Sequence, residues 1–135
     1  MTIPFGPQLI GETEKTLNAL LRRYLAGTGI TEPQWVTMRL AGLLDGTVGA
    51  EGLAAAVADR AQFLDAADLV GQLTDRGLLD EGRLTGAGRE LTSGVQAKIA
   101  TETVTIFDGF PADDVAAAER VMNEALERAR AALSG

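Results

Sequence analysis

The side chains best suited to acid–base work are two adjacent carboxylate pairs, Asp80-Glu81 and Asp113-Asp114. Consecutive residues on a helix do not face each other, and acids in a turn or at a helix start have structural reasons to be there. A catalytic pair is therefore not expected. The glycine pairs Gly27/Gly29 and Gly86/Gly88 form no phosphate loop, since neither GxxxxGK(S/T) nor a strand-flanked GxGxxG is present. The chain has no cysteine and no histidine. That removes the thiol nucleophile, the disulfide, the zinc-thiolate site, the serine–histidine relay and the imidazole metal ligand. No enzyme, no metal and no cofactor is expected. One binding constellation is left. Tyr24 and Trp35 with Arg22 and Arg23 could form aromatic walls with a guanidinium, suited to a small phenolic or aromatic carboxylate. The competing reading makes the two aromatics core or interface packing.

The elements that must position these groups are mostly helical. Residues 1–7, with two prolines and a glycine, read as an irregular lead-in. From Gln8, Ile10, Leu17, Leu20, Leu21, Tyr24 and Leu25 recur at helical spacing, and Gly27 and Gly29 close the helix. Thr31 reads as an N-cap with Pro33 in the first turn, starting a helix that carries Trp35, Met38, Leu40, Leu43 and Leu44 and ends at Asp45-Gly46. Two short stripes follow, Leu53/Ala56/Val57/Ala61 and Ala66/Leu69/Val70/Leu73, joined around Arg60–Phe63. Two helices on so tight a connection make a helix-turn-helix pattern, although the joint lacks the usual glycine.

Gly77 ends the second of these helices. Leu78-Leu79 and Arg83-Leu84 can then pair as a minimal hairpin turning at Glu81-Gly82. Thr85 can cap a helix through Leu91, Val95, Ile99 and Ile106, weakened over Thr101–Phe107 by β-branched residues. After a turn at Phe110–Asp114, Val115, Ala118, Met122, Ala125, Leu126, Ala129 and Leu133 hold the 3/4 spacing of a long amphipathic helix.

The chain of 135 residues is 46% hydrophobic and 23% charged, with a net charge of −7. Its 22 alanines favour close helix packing but make a thin core. A helix at each end with an alanine-rich stripe fits packing between subunits. A homodimer is expected through Ile10, Leu17 and Leu21 with Val115, Met122, Leu126 and Leu133. The longest apolar run, Leu53–Ala58, is far short of the roughly 20 residues a membrane span needs, and no signal peptide is visible. No membrane association and a cytoplasmic location are expected.

Two phrases bear a resemblance. The segment Leu69-Val70-Gly71-Gln72-Leu73-Thr74-Asp75-Arg76-Gly77-Leu78-Leu79 and, after the hairpin, Leu84-Thr85-Gly86-Ala87-Gly88-Arg89-Glu90-Leu91 resemble the MarR family of winged-helix regulators. That family reads Leu-Val-x-x-Leu-x-x-(Arg/Lys)-Gly-Leu-(Val/Ile) and then Leu-Thr-x-x-Gly-(Arg/Lys)-x-Leu. The resemblance spans nearly the whole chain. It implies a mostly α winged helix-turn-helix fold with a small β-hairpin wing and N- and C-terminal dimerisation helices. The expected arrangement is one domain, 1–135, with a winged-helix lobe over 31–93 and a dimerisation lobe from 8–27 and 94–134. It also implies a bacterial transcriptional regulator that binds operator DNA as a homodimer, under possible control by a small effector held between the lobes. The recognition helix would enter the major groove and the wing the adjacent minor groove.

Carried onto this sequence, the resemblance assigns DNA contact to Arg60, Gln62, Asp65, Asp68, Gln72, Arg76 and Arg83. Two departures oppose it. The groove-facing positions align with Leu64, Asp65, Ala67, Asp68 and Gln72, and aspartate has the wrong sign for phosphate and accepts only from the cytosine amino group. The wing, Asp80-Glu81-Gly82-Arg83, is short and keeps a single arginine. Arg39, Arg60 and Arg76 either meet phosphates or pair with acids such as Asp59 and Asp75, and Arg83 either enters a groove or is a solvated turn residue. The alternative function is a winged-helix dimer that has lost base reading and acts through protein–protein contacts.

Overall fold

Thr31 begins its helix as a capping box. Its hydroxyl accepts from the Gln34 amide at 3.2 Å while the Gln34 side-chain oxygen accepts from the Thr31 amide at 3.0 Å. In the computed structural model, which describes residues 2–135, this helix is α2 (Glu32–Leu44), ending at Asp45 in the left-handed region. It follows α1 (Pro7–Leu25) and precedes α3 (Ala50–Ala61), α4 (Ala66–Asp75), β1 (Leu79–Asp80), β2 (Arg83–Leu84), α5 (Gly86–Phe107) and α6 (Ala112–Ser134). Helices and a two-stranded antiparallel sheet in this order are compatible with a winged-helix-like, mostly α fold.

The joint between α3 and α4 needs a residue with positive φ, and Gln62 takes that role at φ 59°. Its side-chain amide donates to Asp59 O at 2.6 Å. The missing glycine is thus no obstacle to the tight connection. The hairpin turns at Glu81-Gly82 as expected, but its first strand is Leu79–Asp80, one residue later than the expected Leu78-Leu79, with Leu79 opposite Leu84 and Asp80 opposite Arg83. Glu81 (φ 54°) and Gly82 (φ 79°) both sit in the left-handed region, as a type I′ turn requires. The β-branched stretch Thr101–Phe107 does not break α5, which runs as one helix to Phe107.

The chain divides into a first unit that ends at Ala100 and a second of Thr101–Gly135. This places α1 in the same unit as the helix-turn-helix, whereas the sequence grouped it with the C-terminal helices. The core of the first unit gathers inward residues of α2, α3, α4, the hairpin and α5, with Met38, Leu53, Val57 and Leu73 wholly inaccessible. Leu21 and Tyr24 of α1 pack against it.

The hairpin is seated on α5 by Thr85 and Gly88. The Thr85 hydroxyl donates to Gly77 O at 2.6 Å and accepts from the Gly88 amide at 3.1 Å. Gly88 is buried, and a Cβ there would collide with the Leu78 carbonyl oxygen. Backbone cannot yield as a flexible side chain does. Gly88→Ala is therefore expected to destabilise the fold by about 1–3 kcal/mol, read as a lower urea midpoint at constant slope.

In the second unit, α6 has no buried residue. Val115, Met122, Leu126 and Leu133 are 50%, 39%, 47% and 72% exposed along one stripe. Phe107, Phe110, Val115, Ala118 and Met122 line an open apolar recess.

Candidate nucleic-acid interface

The inward positions Ala66, Leu69, Val70 and Leu73 anchor α4 to the core at 3/4 spacing. Everything between them faces out: Asp65, Ala67, Asp68, Gly71, Gln72 and Asp75 are exposed, and Leu64, just before the helix, is fully exposed. The groove-facing set aligned from sequence is thus the free face of a helix held by its opposite side. Two aspartates belong to that set, and Asp75 adds a third to the exposed face. Asp68 lies in the first turn of α4, where the helix dipole favours an acid whatever the function.

The arginines expected to offset this charge take different positions. Arg60 is exposed in the last turn of α3 and Gln62 is exposed in the joint; no ion pair involving Arg60 occurs among the described residues. Arg76 turns back into the protein. Its Nη1 donates to Gly29 O at 2.8 Å and its Nη2 to Thr28 O at 3.3 Å. Gln72 Oε1 accepts from Gln34 Nε2 at 2.9 Å. Neither alternative read for Arg76, phosphate or a neighbouring acid, anticipated two backbone carbonyls.

Arg83 lies across Gly46, where a Cβ would collide with its guanidinium, and a Cβ on Gly82 would stand 2.8 Å from the Gly49 carbonyl. The hairpin tip is therefore pressed onto the α2–α3 loop. All three arginines assigned to DNA are exposed, but Arg76 and Arg83 are laid against the protein's own backbone.

The expected effector residues are not gathered into one opening. Trp35 is a core residue at 5% exposure and Tyr24 packs against the core, while Arg22 is exposed and 3.9 Å from Glu32. Core packing, the competing reading for the aromatics, matches their positions. Of the expected dimer residues, Val115, Met122, Leu126 and Leu133 are uncovered, Leu17 is 36% exposed, Ile10 is half-buried and Leu21 is used within its own chain.

Sequence reasoning missed the Arg76 contacts with Thr28 and Gly29, and no local signal could have found partners 47 and 48 residues away. It also missed the recess at Phe107 and Phe110, whose two exposed aromatics at the ends of helix and turn were a visible signal.

Among the described residues no cluster of acidic side chains is placed to hold a metal ion, and no helix is long and apolar enough to cross a membrane. The chain matches no family model, no curated protein and no solved structure.

Proposed function

We propose that the protein is a MarR-type winged-helix transcriptional regulator that binds operator DNA as a homodimer. The observation that carries this reading is the outer face of α4, wholly exposed on the second of two helices joined at a left-handed residue and followed by a hairpin. In this reading Arg60 and Gln62 meet the backbone beside the groove, and Asp65 and Asp68 select cytosine amino groups. The wing contributes through Arg83 once it is drawn away from Gly46. A small aromatic effector and a cytoplasmic location belong to the same proposal.

A second reading has its own observation. With Arg76 engaged by carbonyls and Arg83 laid on the α2–α3 loop, the α4 face offers three aspartates and an exposed leucine. That surface suits a protein partner, and the dimer would then act without reading bases.

Fluorescence anisotropy with the DNA upstream of the protein's own coding sequence separates the two. The regulator reading expects binding at low salt that weakens steeply as salt rises, because phosphate neutralisation releases counterions. Absence of binding at low salt eliminates it and leaves the protein-contact reading.

The dimer is tested apart from DNA. Met122→Glu with Leu126→Glu places charge on the uncovered stripe of α6 and is expected to give a folded monomer by light scattering at micromolar concentration. A stable wild-type monomer under the same conditions refutes the dimer.

A further inference from the structure

Gln72, in the last turn of α4, and Arg76, its C-cap residue, stand one turn apart; Arg76 reaches the segment that joins α1 to α2 and Gln72 the first turn of α2. Arg76 donates to the carbonyls of Gly29 and Thr28. Gln72 accepts from Gln34, whose own oxygen closes the capping box on Thr31. The receiving backbone is shaped for this contact. Gly27 and Gly29 have φ of 84° and 74°, and a Cβ on Gly29 would stand 3.3 Å from the Arg76 Nη2. Two separate nitrogens each donating to its own carbonyl use the rigid planar fork of a guanidinium, which a lysine ammonium, with its donors on one nitrogen, lacks.

We propose that Gln72 and Arg76 form a two-point clamp that sets the position of α4 against the α1–α2 junction. They are positioning residues, not base or phosphate contacts. Because the anchors lie one turn apart at the C-terminal end of α4, that end of the helix is held against rotation about its axis as well as against sliding. The clamp itself stands on geometry alone; its consequence rests on the regulator reading. There, α1 carries Ile10 and Leu17 of the dimer face, so the clamp links the seating of α1 to the pitch of the helix that meets DNA. Both anchors are solvent-exposed on the α4 side, so water competes for them and the clamp is reversible.

Hydrogen exchange measured by mass spectrometry on the full chain tests this with wild type, Arg76→Lys and Arg76→Met. In Arg76→Met, exchange over residues 27–34 and 66–77 is expected to rise together by about tenfold while α6 is unchanged. Arg76→Lys, which keeps the charge but loses the fork, should move in the same direction, and it carries the comparison if the methionine variant does not fold. Unchanged exchange over 27–34 overturns the clamp, as does a uniform rise along the whole chain. Anisotropy adds a second readout where DNA binds. A clamp leaves the salt slope at its wild-type value, whereas a slope reduced by about 0.9 marks Arg76 as a phosphate contact and overturns the proposal. If no DNA binds at all, the regulator reading falls and the exchange result still decides the clamp.

Discussion

Leu73→Ala is expected to cost about 2–5 kcal/mol of folding stability. Leu73 is wholly inaccessible and sits on the inward face of α4 beside Leu69 and Val70. Removing its isobutyl group loses both the transfer free energy and the packing of atoms that cannot close the void. The chain has little to spare. Among the described residues the buried hydrophobic set is 16 residues, two of them alanine, and a domain of this size has a total stability of about 5–15 kcal/mol. Urea unfolding should show a lower midpoint with an unchanged slope. A loss below about 1 kcal/mol would show that α4 is not held by this contact. Either functional reading would suffer equally, because both depend on the outer face that Leu73 presents.

The second large effect concerns that outer face. Asp65→Arg with Asp68→Arg changes the charge at two exposed positions of α4 from −2 to +2 without touching the core. If the face meets the duplex, non-specific DNA affinity rises on the order of tenfold per site and the salt slope steepens by about 0.9 for each phosphate gained. Asp68 also loses a favourable dipole position, worth about 0.3–1 kcal/mol at an exposed helix start, so a slight fall in stability should accompany the gain. Unchanged affinity in a folded variant means that α4 does not face DNA. The same substitutions would then abolish any partner that depends on the aspartates, which makes the pair informative under both readings.

Much of the fold was legible because its signals are local. The Thr31 cap and the Glu81-Gly82 turn rest on hydrogen bonds and backbone angles within a few residues, and the inward stripe of α4 shows in its 3/4 spacing alone. The helix-turn-helix joint was legible in position but not in mechanism, since Gln62 adopts a conformation that glycine usually supplies. Less of the site could be read. The resemblance aligned outward residues of α4 with the groove-facing positions, yet it assigned Arg76 and Gln72 to DNA when their side chains are engaged by the α1–α2 segment and by Gln34 of α2. It offered Trp35 as one possible pocket wall when the side chain is buried in the core.

The acidic and basic side chains show where the division falls between sequence and tertiary structure. The sequence by itself determined their number and sign, the absence of cysteine and histidine, and the positions that share a helix face, because helical periodicity follows from the backbone. Only the tertiary structure decided which charges stay free. A guanidinium on a long flexible stem can reach solvent, an acid or a distant carbonyl, and nothing near Arg76 in the sequence marks Thr28 and Gly29 as its partners. Packing α2 against α4 brings those carbonyls within reach, and packing the hairpin on the α2–α3 loop lays Arg83 over Gly46. The aspartates, short and outward on α4, have no such alternative and keep the face acidic.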